Sequence, residues 1–306
     1  MEKPCHHLVD TGRSSNFNLM FPRVDTKNAS AVLAWVQKKF DAVYGSGSSD
    51  SLARLFHDVE TLFSGRHPDY SAVDLRYHDL EHTLQATVCL AELLEGCQRS
   101  TDAPKISARQ FELGIAAVML HDAGYLKLRS DRSGTGAKYT FCHVLRSCAY
   151  AASYLPTWGA NEPEVGAVLN AINCTGPTKE ISRLHFHDST ERFIGSALAS
   201  ADYLGQMSAP DYPNELGILF AEFAESDDFI HVPASERLFS SAQDLIARTP
   251  AFWRHVVLPK LENEFQGAYR HLADPLSNGT NVYLEAVTQN IALIEQRVAT
   301  VGIPSR

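Results

Sequence analysis

The chain has 306 residues, of which 44% are hydrophobic and 21% charged. That apolar share suffices for a sizeable buried core in one large domain and excludes wholesale disorder. A formal net charge of -9 excludes a broad basic face for duplex nucleic acid, while a local basic pocket stays compatible with it.

Six cysteines, Cys5, Cys89, Cys97, Cys142, Cys148 and Cys174, form no CxxC pair. The N-terminus shows no basic region followed by an apolar stretch, so no signal peptide is expected. Reduced thiols and a cytoplasmic location are the expectation. No stretch approaches the ~20 apolar residues of a membrane span, and no membrane association is expected.

Residues 1–28 read as an irregular N-terminal arm with one apolar patch, Phe17 to Phe21. The Cys5-His6-His7 cluster lies in this arm without partner ligands nearby and is not read as a metal site. Residues 29–306 read as a single helical domain. Val32, Leu33, Val36, Phe40 and Val43 recur at helical spacing until Gly45-Ser-Gly-Ser-Ser49 breaks the pattern. Leu52, Leu55, Phe56, Val59 and Leu62 mark a second helix. Residues 65–73 form a loop, and a long helix is predicted over 76–96, with Asp74 or a neighbour as its cap. Ser107 opens a helix over 107–123 that is apolar throughout its middle and therefore central in the core. After a charged, Gly-containing loop at 125–140, helices are predicted over 142–155, 162–173, 189–208, 213–226, 234–248, 259–272 and 280–300. The last is amphipathic and suits packing on the body or on a second copy of the chain. No alternating strands are found, so the fold is predicted to be all-α.

Three short segments carry the chemistry. Tyr77-His78-Asp79-Leu80-Glu81-His82 places two histidines four residues apart, on one face if both are helical. Met119-Leu120-His121-Asp122-Ala123-Gly124 puts His next to Asp where an apolar helix ends, and there the two can converge on one ion. Leu198-Ala199-Ser200-Ala201-Asp202 sets a carboxylate inside an apolar helix, which is costly unless it has a partner such as a metal. Each segment alone is unspecific, since His57-Asp58 and His187-Asp188 repeat the dipeptide. The ordered set is far more specific.

The set resembles the HD superfamily of metal-dependent phosphohydrolases over residues 75–210, and Tyr77-His78-Asp79-x-x-His82 is similar to the YHNxxH stretch of its cyclic nucleotide phosphodiesterases. The resemblance implies an HD-domain helical bundle with additional flanking helices, residues 211–306 supplying the C-terminal ones. It implies His82, His121, Asp122 and Asp202 as metal ligands, with Asp122 able to bridge two ions and His143 serving a second one. His78 matches the histidine that protonates the leaving oxygen. Imidazole and carboxylate suit one or two divalent transition metals, Zn, Mn, Fe, Co or Ni, with Mg open at the second position.

The pattern also departs from the family. No GYP motif follows Lys127, which disfavours cyclic di-GMP, and Ala171-Ile172-Asn173-Cys174-Thr175 holds no histidine where many two-metal members have one. His185 and His187 come later; they read as surface residues, with one of them as a substitute ligand the alternative. Lys127, Arg129, Arg132, Lys138 and Arg146 form a local basic segment, of which Lys127 and Arg146 are candidates for substrate phosphate. Gln206, one turn beyond Asp202, can read a nucleobase or orient a ligand. The expected enzyme is a hydrolase of phosphate ester bonds, a phosphodiesterase or phosphomonoesterase on a nucleotide-like small molecule. The alternatives are an HD-type di-iron oxygenase and a non-catalytic ligand-binding signalling module. Self-association through the C-terminal helices stays open.

Overall fold

Asn28 opens the first helix, α1 (Ala29–Tyr44), by accepting the backbone N–H groups of Ser30 and Ala31. These are donors that a helix start leaves without partners. The computed structural model describes residues 21–45, 50–101, 103–176, 180–273 and 279–301. The Cys5-His6-His7 cluster, most of the arm and residues 46–49 of the predicted break lie outside that set. In α2 (Asp50–Phe63) the predicted face, Leu52, Leu55, Phe56, Val59 and Leu62, is buried.

Asp79 caps α3 (Leu80–Arg99), its carboxylate accepting the His82 N–H at 3.0 Å. The predicted start at residue 76 is therefore corrected. Tyr77 and His78 precede the helix, and His78 reaches the neighbourhood of His82 from a loop rather than from the same helical face. Ser107 and Gln110 form a capping box at the head of α4 (Ala108–Leu120), where every residue from Phe111 to Leu120 is buried. Burying a large side chain such as Phe111 or Ile115 contributes roughly 1.5–3 kcal/mol, so α4 anchors the core as its composition predicts.

The remaining helices are α5 (His143–Trp158), α6 (Glu162–Asn173), α7 (Ser189–Ser208), α8 (Tyr212–Phe229), α9 (Ala242–Phe252) and α10 (Val282–Val301). Among the described residues there is no strand; an isolated antiparallel bridge joins Tyr70 and Leu128. The fold is all-α. One hydrophobic core runs from Val32 in α1 to Ile294 in α10. Helix α3 packs against α1, α4 and α7, and α10 lays Tyr283, Val287, Ile291 and Ile294 inward, packing on α7 and α9.

Two glycines set the approach of elements that carry the site. A Cβ at Gly205 in α7 would lie 2.9 Å from the Ala86 backbone of α3, so these helices cross backbone to backbone. His82 sits one turn before Ala86, and Asp202 one turn before Gly205. At Gly124 a Cβ would lie 2.0 Å from the His143 carbonyl oxygen, so the segment after α4 runs directly against the start of α5.

The C-terminal third departs most from the predicted elements. Residues 234–236 form a 3-10 turn, and α9 begins only at Ala242, capped by Ser241. Beyond it the chain winds as π-helix over Trp253–Val257 and Lys260–Glu264. Pro259 has no N–H to donate, and wider turns take up the displaced bonds, Leu258 N–H reaching the Trp253 carbonyl. The predicted helix 259–272 breaks at Gln266 and Gly267, both with positive φ (58° and 64°). No helix of the described residues is long and apolar enough to cross a membrane.

Candidate metal centre

Helix α4 stops at the point where its last side chains become useful. His121 caps it with helical backbone angles, and Asp122 leaves them at φ -108° and ψ 7°. A continuing helix would set adjacent side chains about 100° apart; here both turn toward the first turn of α3. His82 Nε2 lies 3.3 Å and His121 Nε2 3.4 Å from Asp122 Oδ2. From α7, Asp202 Oδ1 approaches the same two nitrogens at 3.3 and 3.6 Å. All four residues expected from the sequence are thus brought together. His82, His121 and Asp122 form a buried group, its ligand atoms within 4.8 Å of one another, that could hold a metal ion.

Two of the polar atoms at the centre have no hydrogen-bond partner. Among the described residues four buried side-chain polar atoms have no hydrogen-bond partner, and two of them, His121 Nε2 and Asp122 Oδ2, face each other here. Leaving such atoms unsatisfied costs on the order of 1–3 kcal/mol each, whereas a cation between them uses both lone pairs. His121 Nδ1 must donate to the Val118 carbonyl at 2.7 Å, which turns Nε2 to the centre. The donor set therefore fits a metal ion.

The electrostatics agree. Burial opposes a charge on His82, yet the Asp122 and Asp202 carboxylates outweigh it and push its pKa up to about 10. The same balance raises His121. Burial alone would raise the Asp122 carboxyl, but His121 and His82 hold it well below the usual carboxylate range. The buried carboxylates demand positive charge, which either protons or a metal ion can supply.

The second carboxylate oxygen of Asp122 points elsewhere. Oδ1 lies 3.7 Å from Nε2 of His143, the first residue of α5. Burial lowers the His143 pKa, and its Nδ1 donates to the Thr140 carbonyl at 2.7 Å. In the neutral ring Nε2 then carries a lone pair facing a carboxylate oxygen, an arrangement that favours a cation between them. Tyr125 stacks on His143 (centroids 4.5 Å apart) and on His78 (4.6 Å).

His78 stands beside the metal group with Nδ1 2.6 Å from Glu222 Oε2 of α8. Gln206 is held at both ends of its amide: its Oε1 accepts from Tyr77 OH at 2.6 Å, and its Nε2 donates to the Asp202 carbonyl at 3.0 Å. Both His78 and Gln206 line a cavity of about 280 Å³ in front of the metal group, together with His143 and the apolar side chains Leu216, Phe223 and Phe252.

The basic segment is not part of that lining. Lys127 pairs with Asp74 at 2.8 Å and Arg146 donates to the Gly124 and Leu126 carbonyls, with its guanidinium over the Tyr139 ring. Arg129 ties down the Pro68 and His67 carbonyls, and Lys138 is buried against Asp131. These cations hold the 125–140 loop in shape, and the expectation that Lys127 and Arg146 face substrate is corrected. His185 and His187 line a separate groove. Thr175, not a histidine, reaches the cavity beyond Asn173.

Sequence reasoning missed Glu222, Tyr125 and the apolar wall. A glutamate within Phe220-Ala221-Glu222-Phe223 of a predicted helix is the only trace Glu222 leaves in the sequence. Compared with known proteins, the chain matches no family model and is similar to no curated protein. What fold and site define by themselves is an all-helical protein with a buried His-Asp group able to hold a metal ion.

Proposed function

We propose that the protein is a metal-dependent phosphohydrolase of small-molecule phosphate esters. The reading is carried by Asp122, whose Oδ2 faces His82 and His121 while Oδ1 faces His143. One carboxylate so placed serves two cation positions. His82, His121, Asp122 and Asp202 would hold the first ion, and Asp122 with His143 the second, from Zn, Mn, Fe, Co or Ni, with Mg suited to the second position. Such ions supply Lewis acidity, a water of lowered pKa and charge to offset the phosphoryl oxygens.

The chain's own residues do the rest. Val118 and Thr140 carbonyls fix the two histidine rings so that Nε2 faces the centre. Glu222 holds His78 at Nδ1, which leaves Nε2 as the nitrogen that hands a proton to the leaving oxygen. The overall reaction is R–O–PO₃²⁻ + H₂O → ROH + HPO₄²⁻. Water oxygen bonds to phosphorus, the ester P–O bond breaks, and one water proton ends on the alcohol by way of His78. Metal analysis followed by a screen of phosphomonoesters, cyclic nucleotides and dinucleotides tests this. Hydrolysis lost to a chelator and restored by metal is expected; no turnover of any ester by metal-loaded protein would overturn it.

A further inference from the structure

The cavity in front of the metal group does not end in the core. It shares Thr140, His143, Phe223, Leu238 and Phe239 with a groove of about 820 Å³ that reaches the surface between α5 and α8. The exposed large apolar side chains gather there. Of the nine among the described residues, Phe141, Leu145, Ile230 and Leu238 line the groove. Phe252 lines the inner cavity, and Phe229 stacks on Phe141 at 6.4 Å. Leu145 is 73% and Leu238 70% exposed, a clustering that marks a binding surface rather than scattered surface apolarity.

The two arginines and the inner amide along this path are already paired. Arg248 pairs with Asp244 at 3.0 Å and donates to the Leu238 carbonyl. Arg237 pairs with Asp228 at 2.5 Å. Gln206, the one amide of the inner cavity, is held by Tyr77 and Asp202. A nucleobase presents several donors and acceptors that such walls would strand without partners, whereas an aliphatic chain presents none.

We propose that the substrate is the phosphate monoester of a long aliphatic alcohol, its phosphate at the metal group and its chain laid through the cavity into the groove. This rests on the phosphohydrolase reading, and its step is the same hydrolysis with R an alkyl chain.

The test uses ethyl, butyl, hexyl and octyl phosphate as monomers with the full-length, metal-loaded protein. The leaving alcohols have closely similar basicity, so only buried length varies. Each methylene is expected to raise kcat/KM about two- to fourfold, the upper figure being the full burial of a CH₂. Leu238→Asp, at an exposed position that need not disturb folding, is expected to flatten the series. A flat or falling series, or nucleoside monophosphates preferred over octyl phosphate, would overturn the inference and leave the phosphohydrolase reading standing. Calorimetry with octyl- and ethylphosphonate, which cannot be hydrolysed, separates the two in the other direction. Chain-length-dependent binding with no ester turned over would sink the enzymatic reading and support the ligand class. A concentration-dependent dimer abolished by Leu238→Asp would show the groove covered by a second copy and overturn the proposal.

Discussion

His78 Nδ1 lies 2.6 Å from Glu222 Oε2, which ties the loop ahead of α3 to the middle of α8. The same carboxylate accepts the backbone N–H groups of Arg76 and Tyr77 at 3.1 and 2.8 Å. Glu222 is therefore a fixed acceptor on which the whole 76–78 segment hangs. It keeps the proton on Nδ1 when the ring is neutral and so sets which nitrogen of His78 faces the cavity.

His78→Ala is expected to keep its metal and lower turnover by roughly 10²–10⁴-fold, the usual contribution of a general acid. The loss should shrink for nitrophenyl phosphate, whose leaving group needs little protonation. Metal content by elemental analysis and rates on both kinds of ester check this. A variant that sheds metal, or that loses equal activity on both esters, would make His78 a ligand or a scaffold residue.

Asp122→Ala is expected to abolish metal binding and phosphatase activity together, because it removes the oxygen facing His82 and His121 as well as the one facing His143. His143→Ala touches only the second position and is expected to lower the metal content relative to the parent while the first position stays occupied. Turnover retained without metal would end the mechanism.

The four residues that the structure brings together were legible because each sits where helical pattern and chemistry disagree: a histidine or aspartate inside or at the end of an apolar helix. His78 was legible as a residue but misplaced, since the helix predicted from residue 76 starts only at Leu80, capped by Asp79. The basic segment misled for a physical reason. A loop must pair its carbonyls, and Arg129 and Arg146 do so at the expense of any substrate role. Glu222 and the apolar wall were not legible, because α8 and α9 reach the site only through the crossing of distant elements. The helix predicted over 259–272 ends early because the chain turns at Gln266 and Gly267, both with positive φ.

Metal removal is expected to lower thermal stability as well as activity. An ion at about 100 times its dissociation constant stabilises the native state by about 2.7 kcal/mol, which for a chain of this size corresponds to a Tm rise on the order of 5 °C. Thermal scans in chelator and in Zn or Mn measure the shift, and Asp122→Ala should erase it. Coincident melting curves for the parent protein under both conditions would show that the buried group takes no ion.

Gly205→Ala tests whether the helix crossing places the site. The added methyl would lie 2.9 Å from Ala86 Cα, Ala86 N and the Gln85 carbonyl carbon, all backbone atoms that cannot rotate away. Overpacking of this kind costs about 1–3 kcal/mol. It should also push Asp202, one turn away on α7, from its 3.3 Å approach to His82, so metal affinity is expected to fall along with stability. Ala86→Gly should give no rescue, because the obstruction is main chain and not the Ala86 methyl. Gly217→Ala in α8 is the control: nothing lies within 4 Å of its Cβ position. There the gain in helix propensity is expected to stabilise by roughly 0.5–1 kcal/mol with metal affinity unchanged. Chemical denaturation and metal titration of the three variants read both quantities. Equal metal affinity in Gly205→Ala and Gly217→Ala would mean that the α3–α7 crossing does not position Asp202.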